Sequence, residues 1–235
     1  MTLSVVISCY NEERTIGELL RRVLEADLGV VNTEVLVVDD GSTDRSPVIA
    51  QKIASLHPER LRVLIQPRNQ GKGAALQRGI QEASGDLVVI QDADLEYDPR
   101  DFRQMLELFR LPEVSVVFGS RRLLRNPVSS KLYYSGAPLV TALTVLLYGT
   151  RISDQFTCYK MVRRELLARI PLRSRGFAVD AELIAKLIRL GERIQEVPIT
   201  YHPRSRSEGK KVRLRDGVLW IWELLKHRFS DPRRW

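Results

Sequence analysis

Short apolar runs rich in valine alternate with segments of helical periodicity in the first half of the chain, and this alternation restricts the fold more than any other feature. The runs lie at residues 3–8, 34–38, 61–65, 87–90 and 114–118. Strands that are apolar on both sides are buried on both faces, which is typical of a parallel sheet covered by helices. The pattern predicts an α/β fold with a mostly parallel, Rossmann-like sheet flanked by helices.

The second half of the chain has a different pattern of apolar residues. Residues 132–148 are apolar nearly all round, residues 181–190 have helical spacing, residues 196–201 read as a short strand, and residues 218–229 read as a terminal amphipathic helix. The stretch at 132–150 contains two glycines and a proline and is barely long enough for a bilayer, so we expect a buried or interfacial helix. With no repeat or long linker, residues 1–235 are expected to form a single domain.

Charge is divided unequally along the chain. The net charge is +8, but residues 1–120 carry −6 and residues 121–235 carry +14. An acidic half could hold a cation, whereas a basic half could face phosphates, nucleic acid or an anionic membrane. The two cysteines and three histidines are too few and too scattered for a disulfide scaffold or a structural zinc site. These features favour an intracellular location.

Polar side chains follow the ends of several predicted strands. Ligands of open parallel sheets bind beyond the carboxyl ends of the strands, so these side chains are expected to share one site. They are Ser8, Tyr10 and Glu12 after the first run, Asp39 and Asp40 after the second, Asp92, Ala93 and Asp94 after the fourth, and Arg121 after the fifth.

Asp92 and Asp94 point to the same side of an extended chain. Such hard oxygen ligands suit Mg²⁺ or Mn²⁺ that also holds a substrate phosphate. A solvated turn is the alternative for this pair, and a helix-capping loop is the alternative for Asp39 and Asp40. Several carboxylates meeting at one sheet edge without a cation would be costly, which favours a metal.

Other common sites are excluded by their spacing. The Gly71-Lys72-Gly73 segment lacks both the preceding glycine and the following Ser or Thr of a phosphate loop. No GxGxxG follows the first strand, and no GxSxG elbow of a serine hydrolase is present.

Four segments resemble family-two glycosyltransferases with the GT-A fold: VVISCYNEE at 5–13, VVDDGSTD at 37–44, NQGKGAAL at 69–76 and QDADL at 91–95. Later segments are similar to the dolichyl- and polyprenyl-phosphate mannosyl- and glucosyltransferase branch. They are GSR at 119–121, TCYK at 157–160 with the preceding Asp154, EVPITYHPR at 196–204 and EGK at 208–210.

The resemblance implies a function for each part of the chain. Residues 1–121 would bind the nucleotide sugar, residues 122–205 would form the acceptor side, and residues 206–235 would supply a basic loop and an amphipathic helix. Asp92 and Asp94 would hold the metal on the donor diphosphate. Arg121 and Arg204 would bracket anionic groups, with help from Lys210. The implied nucleotide-sugar site comprises Ser8, Tyr10, Glu12, Val38, Asp40, Asp92, Ala93, Arg121, Arg204 and Lys210.

The implied catalytic set is Asp94, Arg121, Asp154 and Arg204. Asp154 would position the acceptor or act as a base, and a helix-start cap is the alternative. Asp180 and Glu182 resemble an acidic pair of some relatives without a defined role. The chain departs from a close subgroup at Phe156, where that subgroup has Glu, which leaves the class of acceptor open.

The expected activity is inverting, metal-dependent transfer of a hexose from GDP-mannose or UDP-glucose to a polyprenyl or dolichyl phosphate. The enzyme is expected at the cytoplasmic face of a membrane, resting on anionic lipid or anchored through a partner or a second copy. A soluble acceptor, a nucleotidyltransferase and a basic binding module are the alternatives. Nucleic acid is not expected as a partner, because no aromatic residue interleaves the basic segment 204–215.

Overall fold

A twisted sheet forms the centre of the molecule. In this computed structural model, which describes residues 1–29, 31–127, 131–204 and 214–231 and only the backbone of 131–135 and 214–215, the sheet has seven strands. They are β1 (Thr2–Cys9), β2 (Asn32–Asp39), β3 (Leu61–Ile65), β4 (Leu87–Asp92), β5 (Val116–Ser120), β6 (Lys160–Arg163) and β7 (Ile194–Pro198). Their spatial order is β3-β2-β1-β4-β6-β5-β7.

The sheet is mostly parallel, as the apolar runs predict. β1 pairs in parallel with β2 and β4, β2 with β3, and β5 with β7. β6 is antiparallel to both β4 and β5. Sequence reasoning missed β6, because its four residues begin and end with charged side chains and contain no apolar run. The predicted strands at 114–118 and 196–201 are displaced by two residues, to Val116–Ser120 and Ile194–Pro198.

Helices cover the sheet and carry its connections. They are α1 (Ile16–Glu25), α2 (Ser46–Leu56), α3 (Lys72–Glu82), α4 (Phe102–Leu108), α5 (Lys131–Tyr148), α6 (Arg164–Leu167), α7 (Val179–Arg189) and α8 (Leu214–Phe229). A 3-10 turn at Pro99–Asp101 precedes α4. The apolar faces of these helices pack against the buried valines and isoleucines of the strands. Since β1–β5 lie within 1–121 and β6 and β7 within 122–205, both parts of the chain build one sheet.

The two apolar helices of the second half are each divided between core and surface. In α8, Trp220 and Leu224 are buried, whereas Trp222 is 61% exposed. In α5, Thr144 is buried and Leu146 is 81% exposed. Within the described residues, no helix has both the length and the apolar character that crossing a membrane requires. The terminal helix therefore packs on the core with one face and leaves a second apolar face in solvent.

A close approach between α3 and the sheet gives a test of this packing. A Cβ atom on Gly79 would lie 2.3 Å from Val6 Cγ1 and 3.2 Å from Val38 Cγ2. Although alanine favours a helix over glycine, overpacking a core typically costs about 1–3 kcal/mol. We expect Gly79→Ala to lower the free energy of unfolding, measured in urea.

Gly217→Ala is the matched control, because nothing lies within 4 Å of a Cβ at this position on α8. It should leave stability unchanged or raise it by up to about 1 kcal/mol. Equal stability of the two variants would contradict the close packing of α3 on β1.

Candidate functional site

The parallel register brings the ends of three strands into one row. Ser8 of β1 lies opposite Val38 of β2 and Asp92 of β4. A cavity of about 1640 Å³ opens beyond this edge. Its walls include most of the candidate residues: Ser8, Tyr10, Glu12, Asp40, Asp92, Ala93, Asp94, Arg121, Asp154 and Arg204. Val38 is buried in β2 beside Ser8, and Lys210 lies outside the described residues.

Asp94 and Arg204 form an ion pair among further carboxylates. Arg204 Nη2 donates to Asp94 Oδ2 at 2.7 Å, Nη1 donates to Glu12 Oε2 at 3.1 Å, and Nε lies 3.6 Å from Glu96 Oε1. Burial and the charges of Asp92 and Glu96 raise the pKa of Asp94 to about 7, while Arg204 opposes the shift. The guanidinium thus offsets a concentration of negative charge that would be costly in a buried setting.

Asp92 and Asp94 fit a divalent cation by their chemistry. The crowding of negative charge that raises the pKa of Asp94 is the kind that Mg²⁺ or Mn²⁺ relieves. In the part of the chain that the structure describes, no group of three or more His, Cys, Asp or Glu side chains could hold a metal ion. A metal ion held by Asp92 and Asp94 would take its other ligands from substrate phosphates and water, which is the usual mode for Mg²⁺.

Lys72 lies on the other side of Asp92. Its Nζ is 2.8 Å from Asp92 Oδ1 and 3.5 Å from Asp180 Oδ2, and Asp180 Oδ1 also accepts from Lys160 Nζ at 2.9 Å. Burial alone would lower the pKa of Lys72, but Asp92 and Asp180 raise it well above its usual value. Asp180 therefore links two lysines in a buried chain of alternating charge. Its sequence neighbour Glu182 forms a separate buried pair with Lys186 at 2.7 Å.

The glycines that flank Lys72 have a packing role. A Cβ on Gly73 would lie 2.0 Å from the carbonyl oxygen of Ser174. Instead, the backbone N–H groups of Gly73 and Ala74 donate to the carbonyl oxygen of Arg175 at 2.6 and 3.3 Å. This carbonyl satisfies the Gly73 backbone donor at the start of α3, whereas the Ala74 N–H also donates to the Gly71 carbonyl oxygen at 3.0 Å. The segment 174–175, which lines the cavity, is thereby fastened to the start of α3.

Asp154 and Arg121 form a bidentate pair in the wall of the cavity. Arg121 Nε donates to Oδ2 at 2.7 Å, Nη2 donates to Oδ1 at 2.8 Å, and the backbone N–H of Arg121 donates to Oδ2 at 3.1 Å. Although burial raises the pKa of the Asp154 carboxyl, the Arg121 guanidinium outweighs it and lowers that pKa. The helix-cap alternative is wrong, because Asp154 lies between α5 and β6 and holds an arginine instead.

Two residues of the site were missed from the sequence. Lys72 was considered only as part of a phosphate loop, although its place in the NQGKGAAL segment could have indicated a site residue. Glu96 follows Asp94 at the same two-residue spacing that separates Asp92 from Asp94, and this spacing could have indicated Glu96 from the sequence. Its carboxylate accepts from the Tyr201 hydroxyl and from the Arg204 backbone N–H, each at 2.8 Å.

Helices α5 and α8 add apolar side chains to the same cavity. Val140 of α5, Leu219 and Trp220 of α8, and Phe156 line it, as do the carboxylates of Asp216 and Glu223 on α8. The rings of Phe156 and Trp220 pack with centroids 4.5 Å apart. The position where a subgroup of relatives has Glu is thus part of an apolar wall.

Two curated proteins are similar to this chain in sequence over most of its length. A dolichol-phosphate mannosyltransferase of Pyrococcus furiosus is 32% identical over 217 residues, covering 89% of this chain and 59% of the relative. A dodecaprenyl-phosphate galacturonate synthase of Rhizobium johnstonii is 28% identical over 211 residues, covering 89% of this chain and 62% of the relative. The chain thus spans about three fifths of the length of these curated relatives.

The fold is also that of a solved enzyme. Glucosyl-3-phosphoglycerate synthase from Mycobacterium tuberculosis, in complex with Mn²⁺ and UDP-glucose, superposes with a TM-score of 0.72 at 26% identity, covering 97% of this chain and 78% of that chain. This likeness confirms the predicted GT-A architecture. The model of glycosyl transferase family 2 matches residues 4–170, which is most of the chain, and the chain therefore belongs to that family.

Proposed function

We propose that the chain transfers a hexose from a nucleotide sugar to a polyprenyl or dolichyl phosphate, with inversion and with a divalent metal. The observation that carries this proposal is one cavity that is lined both by the strand-end carboxylates and by apolar side chains of α5 and α8. A charged sugar donor and a lipid-linked acceptor require these two environments side by side. The names of the curated relatives support the same class of acceptor.

The donor would occupy the part of the cavity that is lined by the strand-end residues. Tyr10 and Asp40 would contact its base and ribose, and Asp92 and Asp94 would hold Mg²⁺ or Mn²⁺. When bound, the ion neutralises the charge that develops on the departing nucleoside diphosphate. Arg204 now donates to Asp94, so it has to release that carboxylate when the site is loaded and is then free to contact phosphate.

Arg121 would receive the acceptor phosphate. It lines the cavity near Arg122, and its guanidinium is fixed by Asp154 and lies over the Tyr201 ring at 4.8 Å. A lipid monophosphate is largely ionised near neutral pH and needs little help from a base. We infer that Asp154 is a positioning residue for Arg121, because both of its oxygens accept from that side chain.

The exposed faces of α5 and α8 would rest on the cytoplasmic surface of a membrane. Leu139 and Leu146 of α5 and Trp222 and Phe229 of α8 are all more than half exposed. Arg228 Nε donates to the Leu147 carbonyl at 2.7 Å and joins the two helices. Tryptophan and aliphatic residues beside basic groups are typical of an interfacial helix.

A soluble phosphorylated acceptor is the second candidate. It is favoured by the complex of the Mycobacterium tuberculosis synthase with Mn²⁺, UDP-glucose and phosphoglyceric acid, which has a TM-score of 0.72 at 25% identity and covers 97% of this chain and 79% of that chain. Arg121, Arg122 and Arg125 line the cavity and could bind such an acid.

The metal proposal predicts the effect of Asp94→Asn. Removing one ligand of a leaving-group metal should cost several kcal/mol of transition-state stabilisation, so we expect transfer to fall by about a hundredfold or more. Calorimetry with Mn²⁺ and a nucleoside diphosphate should show weaker metal binding. Glu107→Gln, a change at an exposed residue of α4, is the control. Undiminished wild-type transfer in EDTA would contradict the proposal.

The pair of Asp154 and Arg121 predicts a pH-dependent stability. Removing one partner of a buried pair typically costs about 3 kcal/mol or more, which we expect for Asp154→Asn at neutral pH. Because the folded-state pKa of Asp154 is lowered, its contribution is present above the unfolded pKa of about 3.9 and is lost as the pH falls through the folded value. The difference in the free energy of unfolding between wild type and Asp154→Asn, measured in urea, should therefore decrease below about pH 4.

Asp98→Asn is the control for this prediction, since Asp98 pairs with an Arg100 that is mostly exposed. It should cost less than about 1 kcal/mol. If Asp154 only positions Arg121, Asp154→Asn raises the KM for the acceptor and largely keeps kcat. A large fall in kcat at an unchanged KM for the acceptor would favour a general base instead.

The acceptor is tested with vesicles that contain polyprenyl phosphate. We expect sugar transfer to the lipid, and we expect flotation of the protein with anionic vesicles that decreases at high salt. Trp222→Ser should reduce both. The control is Leu111→Ser, a similarly exposed apolar residue between α4 and β5. Transfer to 3-phosphoglycerate, with no flotation on either neutral or anionic vesicles, would favour the soluble acceptor.

A further inference from the structure

The carboxylate of Asp40 is almost fully occupied by the protein itself. Its Oδ1 accepts from Gln66 Nε2 at 2.6 Å and from the Gln70 backbone N–H at 2.8 Å. Its Oδ2 accepts from the Gly71 backbone N–H at 2.8 Å. An ionised carboxylate offers about four acceptor positions, two on each oxygen. The described contacts therefore leave one position, on Oδ2.

The side chain that fills Oδ1 is held in a fixed orientation. Gln66 is buried, and its backbone N–H donates to the Asp39 carbonyl oxygen at 2.8 Å. Its side-chain oxygen accepts from Gln70 Nε2 at 3.0 Å. With the oxygen engaged there, the amide nitrogen is left to face Asp40, so the occupancy of Oδ1 follows from the whole network.

The bases of nucleotide sugars differ in how many donors they present to a carboxylate. The edge of guanine carries a ring N–H and an adjacent amino group, and a carboxylate pairs with both only through two free oxygens. The edge of uracil carries one imide N–H between two carbonyl oxygens. A single acceptor position matches uracil, whereas guanine would leave one polar group without a partner in the site.

We propose that Gln66, by occupying Oδ1 of Asp40, selects donors whose base has a single imide N–H, so that the substrate is a uridine diphosphate sugar rather than a guanosine diphosphate sugar. This inference rests on the proposed function, in which Asp40 contacts the base. It goes further by choosing between the two donor classes and by assigning the choice to Gln66. Asp40 lines the cavity, so its remaining position can be reached by a ligand there.

Calorimetry of the whole chain with Mn²⁺ and three probes tests the inference. We expect UDP to bind about ten- to a hundredfold more tightly than GDP, the range that one unmade hydrogen bond to a charged group produces. UDP methylated at the imide nitrogen should lose a similar factor, because its single donor is blocked. GDP binding as tightly as UDP, or methylated UDP binding as tightly as UDP, would overturn the inference.

Gln66→Met tests the residue itself, because methionine has a similar length but no donor. We expect the ratio of the GDP dissociation constant to the UDP dissociation constant to fall at least threefold. The unfolding midpoint of the variant is compared with that of Gln104→Met to check that it folds. Gln104 lies on α4, and its Nε2 donates to the Pro198 carbonyl oxygen. It therefore serves as the matched control and should keep the wild-type preference. An unchanged preference in a folded Gln66→Met would contradict the role of Gln66.

The wild-type measurements remain decisive if Gln66→Met does not fold. A protein that binds neither UDP nor GDP in the presence of Mn²⁺ would contradict the proposed donor site itself. A protein that binds both equally would contradict only the selection by Gln66.

Discussion

The structure depends on the pairing of buried charges at one edge of the sheet. Asp92 ends β4 and Asp94 lies two residues beyond it, and each is opposed by a cation, Lys72 and Arg204 respectively. Unpaired, such carboxylates would be protonated or would destabilise the fold, because burial penalises the charged form. The pairs of Arg204 with Asp94 and of Lys72 with Asp180 therefore also join residues 1–121 to residues 122–205.

These cations do not share one role. Lys72 is shared between Asp92 and Asp180, and Asp180 is itself bound to Lys160, so its position is fixed from several sides. Arg204 is held by side chains around the cavity and stands directly before residues that lie outside the described part of the chain. Arg121, in contrast, has a carboxylate dedicated to it, since both oxygens of Asp154 accept from it. Arg121 is thus held by a dedicated partner, whereas Lys72 and Arg204 are held by charges that they share with other groups.

The sequence predicted the parallel strands and the strand-end residues that line the cavity, because both follow from local pattern. Apolar runs mark strands buried on both faces, and the residues after them have to meet at one edge. β6 was not predictable in this way, because Lys160–Arg163 becomes a strand only through its two antiparallel neighbours. The links from Lys72 to Asp92 and from Asp154 to Arg121 join residues 20 and 33 positions apart. No local pattern encodes such pairs, so tertiary structure was needed to find them.

The contact between the start of α3 and residue 175 has a consequence for how this site can diversify. The link is made by a main-chain oxygen on one side and by the missing side chains of Gly71 and Gly73 on the other. Substitution at 174 or 175 therefore leaves the bond intact, whereas substitution at either glycine breaks the fit. The side chains that this segment presents to the cavity can therefore be exchanged while its path beside α3 is kept. The lining of the cavity and the attachment of the segment thus depend on different atoms of the same residues.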